Sequence, residues 1–367
     1  MSKSLAVSRQ VVQYQKPIDF HCHGLGDADF ADPSQVDLYE TDKLAQIEGI
    51  GVVLVFSLPK KELNNFVALV ENYHSARTLN QLQNIVGLAL EGPTLSLVGG
   101  TPEAGCWNPT KAEWITIAKL GSKGLIYCVV SPDYSTNAGP EYPTSIFWIT
   151  KTLMDHGVMP ALGHILKDNP AEAARQINVM LDGLEANQNI PVITDHMFND
   201  MPLNFKHTWR TASEQESQRQ QLAAILAEEW HYETIDNCLG PVPAELVRQA
   251  WKGKLKICLN FDGDHVDIEI CKKAINLIGA ENILLMTDRI AGKNFGGRKL
   301  IQHPDNSLLY QDKGIVAGGT QSLISQLGKM IRSQISSKDI YQITYANPNN
   351  LIEIINRSKI NGHLENA

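Results

Sequence analysis

Eight short apolar runs recur along the chain, separated by longer stretches in which apolar residues fall three and four apart. The runs are Ile18–His23, Gly51–Leu58, Ile85–Glu91, Gly124–Ser131, Val158–His164, Ile190–His196, Leu255–Asp262 and Ile283–Asp288. They are continuously hydrophobic rather than alternating, the pattern of parallel strands covered on both faces. The stretches Asp42–Ile50, Lys60–Leu82, Thr110–Leu120, Thr144–His156, Pro170–Asn187, Ala212–Trp230, Ala244–Lys252 and Asp267–Ile278 carry the spacing of amphipathic helices. Asn169 before Pro170 reads as a helix cap followed by proline at the first helical position. This alternation predicts an α/β fold, a (β/α)8 TIM barrel, with a doubly wound open sheet as the alternative. The least regular region, Asn204 to Leu255, is expected to hold a loop and extra helices above the barrel.

Composition narrows the picture without changing it. The chain has 367 residues, 43% hydrophobic and 20% charged, enough for a large core. The length prior allows two domains, but one barrel with C-terminal helices accounts for residues 1–367. The formal net charge is -8 and no basic tract stands out, so no nucleic-acid footprint is expected. Six scattered cysteines without a C-x-x-C read as reduced thiols, which with the lack of a signal-peptide core predicts a cytoplasmic protein. No apolar window is long enough for a membrane span.

The chemistry lies where the runs end. His21 and His23 sit one residue apart at the end of the first, so on a strand both imidazoles face the same way. Glu91 closes the third run, His164 the fifth and His196 the sixth. Asp262 and His265 close the seventh, and Asp288 the eighth. Barrel enzymes place their reacting groups at the C-terminal strand ends. A single histidine there is more often structural. So many imidazoles and carboxylates at one mouth require a cation, or paired partners, to offset their desolvation. Asp195 precedes His196 and is read either as a carboxylate that orients a ligand or, by strict alternation, as a side chain that points away. The glycine pairs Gly296-Gly297 and Gly318-Gly319 read as turns. Arg289 is expected either to add positive charge near the site or to pair with a nearby acid.

These residues carry a resemblance. The segments Asp19-Phe-His21-Cys-His23-Gly24, Leu90-Glu91-Gly92-Pro93, Gly163-His164, His196-Met-Phe-Asn199, Asp262-Gly-Asp-His265 and Thr287-Asp288 occur in the order found in the amidohydrolase superfamily. With Ala317-Gly-Gly-Thr320 and Asn347-Pro348, the chain most resembles the N-acetylglucosamine-6-phosphate deacetylases. The resemblance implies a divalent metal, zinc foremost, as one or two ions. Glu91, His164 and His196 would hold the principal ion. His21 and His23 would complete a second site, with Glu91 between the two. Asp288 would be the catalytic acid–base, and His265 and Asn199 would contact the substrate. It also implies a small-molecule partner, an N-acylated amino sugar, and a homodimer.

Three departures from that family bear on the substrate. The accessory β-sandwich that the deacetylases build from both chain ends is expected to be absent or vestigial. Trp107 stands where the family usually has a histidine, and Asp200 where it usually has alanine. A carboxylate at Asp200 opposes a phosphate, whereas Lys206, His207 and Arg210 could clamp one. Trp107, Asp200 and Arg210 therefore join the substrate-contact candidates. The alternative readings are a related enzyme acting on an unphosphorylated amide, cyclic amide or ester, and a barrel that binds without turnover.

Overall fold

The computed structural model describes residues 16–134, 145–184, 190–205, 208 and 212–364. Its main sheet has eight strands: β1 Ile18–Cys22, β2 Gly51–Phe56, β3 Ile85–Leu90, β4 Leu125–Val130, β5 Met159–Leu162, β6 Val192–His196, β7 Leu255–Asn260 and β8 Ile283–Met286. They follow one another in chain order around the sheet, and neighbouring strands pair in parallel. The sheet curls into a nearly closed barrel. Its end strands meet just beyond β8, where the Asp288 N–H donates to the His21 carbonyl (3.0 Å) and the His23 N–H to the Arg289 carbonyl (2.8 Å). The buried Asp19 carboxylate fastens the same seam, accepting from the Thr287 N–H (3.0 Å) and hydroxyl (2.7 Å).

Every residue of β2, β3 and β4 is buried, as their uninterrupted hydrophobicity requires. The helices lie outside: α1 Leu38–Glu48, α2 Leu63–Thr78, α3 Lys111–Lys119, α4 Ile146–Asp155, α5 Pro170–Leu184, α6 Ala212–Ala227, α7 Pro241–Trp251 and α8 Ile268–Ile278. Local chemistry sets their starts. Asp37 accepts from the N–H groups of Tyr39 and Glu40, so α1 begins before its expected start at Asp42. Thr110 and Glu113 form a reciprocal capping box on α3. The Asn169 side chain accepts from the Glu172 N–H (3.3 Å) as the sequence suggests. The α7 helix starts at Pro241 rather than Ala244, because a proline in the first turn loses no hydrogen bond. A short extra helix, Ile235–Leu239, precedes it in the irregular region.

After β8 the chain makes an excursion over the mouth before returning to helix at Leu323–Arg332. Its last strand, Val316–Gly319, contains the glycine pair expected to form a turn. These glycines permit close approach instead. A Cβ on Gly318 would lie 2.7 Å from the Asp288 carbonyl oxygen, and one on Gly319 would lie 3.0 Å from His265 Cε1. Gly296 and Gly297 do form a turn, both at positive φ, between paired Asn294–Phe295 and Arg298–Lys299. Among the described residues, the sheets outside the barrel have only two or three strands, and no β-sandwich is present. No helix of the described residues is long and apolar enough to cross a membrane.

Candidate metal centre

Glu91, the residue after β3, enters the barrel mouth and is 3% exposed. His164 and Asp288 each lie two residues beyond their strands. Both adopt left-handed backbone, at φ 53° and 52°, an uncommon geometry for non-glycine residues that turns the chain at the mouth. His196 is the last residue of β6. His21 and His23 face the same side, as alternation in β1 requires, with their Nε2 atoms 2.9 Å apart.

These side chains form two adjoining groups. In the first, Glu91 Oε1 lies 3.1 Å from His164 Nε2 and 3.3 Å from His196 Nε2. Asp195 belongs to this group, contrary to strict alternation: its Oδ2 is 3.3 Å from both imidazole nitrogens. The β6–β7 register shifts between Ile193 and His196, which breaks the alternation. The second group is His21, His23 and Asp288, with Asp288 Oδ1 3.4 Å from His23 Nε2. Glu91 joins the groups through Oε2, which is 3.4 Å from His23 Nε2.

Neighbours fix the rings. His23 Nδ1 contacts the Val55 carbonyl (3.1 Å) and His164 Nδ1 the Leu97 carbonyl (2.8 Å), so both rings present Nε2 to the cluster. The Tyr127 hydroxyl stands 3.0 Å from His21 Nδ1, and the Thr101 hydroxyl donates to Glu91 Oε2 (3.0 Å). Sequence reasoning missed both hydroxyls. Tyr127 sits inside an apolar strand and Thr101 in a long loop, so neither carries a strand-end signal.

Imidazoles alone offset the carboxylates of the cluster. Glu91, Asp195 and Asp288 are 3%, 1% and 6% exposed, and no described lysine or arginine pairs with any of them. Burial opposes ionisation of Glu91, but the surrounding imidazoles of His23, His164 and His196 hold its carboxyl well below the usual range. Burial likewise opposes a charged His196, yet Asp195, Glu91 and Asp288 push it up to about 10. His164 moves well above its ordinary value against the same burial, through Asp195 and Glu91. Both Asp195 oxygens are buried and meet only imidazole nitrogens, at 3.2–3.3 Å, and His196 Nδ1 is buried without a hydrogen-bond partner. A divalent cation meets this demand. Tetrahedral zinc with ligands at about 2.0–2.2 Å spaces them about 3.3–3.6 Å apart, close to the separations in the first group.

A cavity of about 200 Å³ opens over the cluster, with Glu91, His164, His196, Asn199, His265 and Asp288 in its wall. Asn199 is 6% exposed and both its amide atoms lack partners. Nδ1 of His265 is 2.6 Å from Asp262 Oδ2, and its Nε2 is 3.4 Å from Asp288 Oδ2. Asp200 also lines the cavity, with Oδ2 accepting from the Gly100 N–H (3.3 Å). Lys167, which sequence reasoning did not single out, is an exposed cation in the same wall. Trp107 does not line the cavity. Its indole N–H donates to the Leu58 carbonyl (2.8 Å), and Lys60 lies over the ring. Arg289 turns from the mouth to pair with Glu48 at 3.1 Å. Lys206, His207 and Arg210 lie outside the described residues.

No family model matches the chain, and a search of curated proteins finds no relative. Solved structures do resemble it. The N-acetylglucosamine-6-phosphate deacetylase of Pasteurella multocida superposes with a TM-score of 0.66 at 14% identity, over 93% of this chain and 76% of that one. An N-acetyl-D-glucosamine-6-phosphate deacetylase mutant of Mycobacterium smegmatis, solved in complex with N-acetyl-D-glucosamine-6-phosphate, gives 0.63 at 16% identity, over 92% and 77%. The Thermotoga maritima deacetylase gives 0.59 at 16% identity, over 94% and 80%. The chain therefore has the (β/α)8 barrel fold of the N-acetylglucosamine-6-phosphate deacetylases.

Proposed function

We propose that this chain is a metal-dependent amidohydrolase that cleaves a C–N bond of a small N-acylated substrate, with deacetylation of an N-acetyl amino sugar as the nearest reaction. The observation that carries the reading is the meeting of Glu91, His164 and His196 beside Asp288 at one barrel mouth. Glu91, His164 and His196 would hold the principal ion, and His21 and His23 a second. A bound divalent cation, zinc foremost, supplies Lewis-acid polarisation of the scissile carbonyl and lowers the pKa of water to about 7.

The chain's own groups do the rest. Asp288 Oδ1 faces the cluster and Oδ2 faces His265, so this carboxylate accepts the proton of the attacking water and returns one to the leaving amine. His265 is held by Asp262 and turns its Nε2 toward Asp288 at the cavity wall, where it contacts the substrate. The free amide of Asn199 provides a donor and an acceptor to orient it. The excursion at residues 314–317 walls the opposite side and limits water.

Asp200 favours an unphosphorylated substrate, because its carboxylate lines the same cavity and opposes a phosphate. Lys167 is the described cation on that wall, and Arg210 is a second candidate clamp. The decisive experiment measures acetate release by the zinc-loaded chain from N-acetylglucosamine 6-phosphate and from N-acetylglucosamine. Turnover of either supports the hydrolase. A zinc-loaded chain that releases acetate from neither, and hydrolyses no member of an amide, cyclic amide and ester panel, favours the binding barrel.

A further inference from the structure

We infer that Asp195 is a fourth protein ligand of the ion held by Glu91, His164 and His196, and that its other oxygen orients His21 for the second group. The inference rests on the metal reading above and adds a residue to it. Because of the register shift before His196, two consecutive side chains of β6 reach the mouth. Asp195 is 1% exposed, and its oxygens meet only imidazole nitrogens, at 3.2–3.3 Å. A buried carboxylate faced only by metal-ligand imidazoles is well placed to be completed by a cation.

Its surroundings fit that role. Oδ2 is 3.3 Å from His164 Nε2 and 3.3 Å from His196 Nε2. Glu91 Oε1 faces the same two nitrogens at 3.1 and 3.3 Å. These separations would let both carboxylates and both imidazoles reach one ion, with a further position left open to water. Oδ1 stands 3.2 Å from His21 Nδ1, the placement of a carboxylate that orients a metal-binding imidazole. The neighbouring strand end leaves room for it. A Cβ on Gly163 would fall 2.5 Å from Asp195 Cβ and 3.0 Å from Oδ2, so a side chain there would displace the carboxylate. Asp195 thus touches both groups at once and links occupancy of one to ring orientation in the other.

The test uses the full chain and zinc or cobalt alone. Asp195→Asn should bind the first ion at least about 100-fold more weakly in chelator competition, above what loss of an outer partner costs. Gly163→Ala, which moves Asp195 without altering a ligand, should weaken binding in the same direction. The wild-type chain with one equivalent of Co²⁺ should show the strong visible absorption of a four- or five-coordinate ion, a readout that needs no variant to fold. Unchanged zinc affinity in Asp195→Asn, or only the weak bands of six-coordinate cobalt in the wild type, would overturn the assignment. A wild-type chain that takes up no divalent ion sinks the metal reading itself. A loaded wild type with an indifferent Asp195→Asn sinks only the role of Asp195.

Discussion

Chelating divalent cations should lower the melting temperature of the wild-type chain, and His196→Ala should abolish the response. The mouth buries Glu91, Asp195 and Asp288 at 3%, 1% and 6% exposure. Binding of an ion to the folded chain at a thousand times its dissociation constant adds about 4 kcal/mol of stability. Domains of 150–250 residues melt about 2–4 °C higher per kcal/mol, so a shift on the order of 8 °C is expected, somewhat less for a longer chain. His196→Ala removes a ring whose Nε2 is 3.3 Å from both Glu91 Oε1 and Asp195 Oδ2. Loss of an outer partner alone costs about 10–100-fold in affinity, and loss of a ligand more. Calorimetric scans of both proteins, with zinc and with chelator, complete the cycle. A wild type that melts identically in both conditions, or a variant that keeps the full shift, refutes the reasoning.

Four other outcomes follow from the same geometry. Asp288→Asn should keep the first ion, measured by elemental analysis, and lose about 10²–10⁴-fold in kcat, as expected for a general acid–base; full turnover would remove the role. Zinc uptake near pH 7 should release protons, measured by titration calorimetry in buffers of different ionisation enthalpy. His196 is raised to about 10 and His164 is raised well above its ordinary value, so both carry protons that the ion must displace, and affinity should climb as pH rises. In the metal-free chain the sign reverses: the stability from His196 is fully present below about 6.5 and is lost as pH rises through about 10. Gly319→Ala presses on His265 Cε1 and should lower kcat/KM about tenfold or more with little change in zinc content. Trp107→Phe should leave KM unchanged and cost about 1 kcal/mol of stability, the value of its bond to the Leu58 carbonyl.

The barrel was legible because parallel strands covered on both faces are hydrophobic throughout, and six of the eight runs ended in a histidine or a carboxylate. His21 and His23 obeyed the period of two. Asp195 did not, because a register shift depends on how β6 pairs with β7, and nothing within Val192–His196 announces it. Gly318 and Gly319 misled for a related reason. Their small size serves the approach of a strand to Asp288 and His265, a contact set by tertiary packing rather than by local turn chemistry. Thr101 and Tyr127 were invisible because a hydroxyl inside a loop or an apolar strand has no distinguishing pattern. The strand-end histidines could be read individually; their neighbours could be read only in three dimensions.

The seam between the first and last strands has a further consequence. His21, His23 and Asp288 stand on it, and the backbone bonds that shut the barrel, Asp288 to His21 and His23 to Arg289, run through these same residues. The second group therefore cannot exist in a chain whose sheet is still open, whereas Glu91, His164, Asp195 and His196 come from the contiguous run β3 to β6. On the proposed hydrolase reading, reactivity at this mouth waits on closure of the sheet. A nascent chain emerging from the ribosome could capture a first ion early, yet would stay inert until its final strand docked.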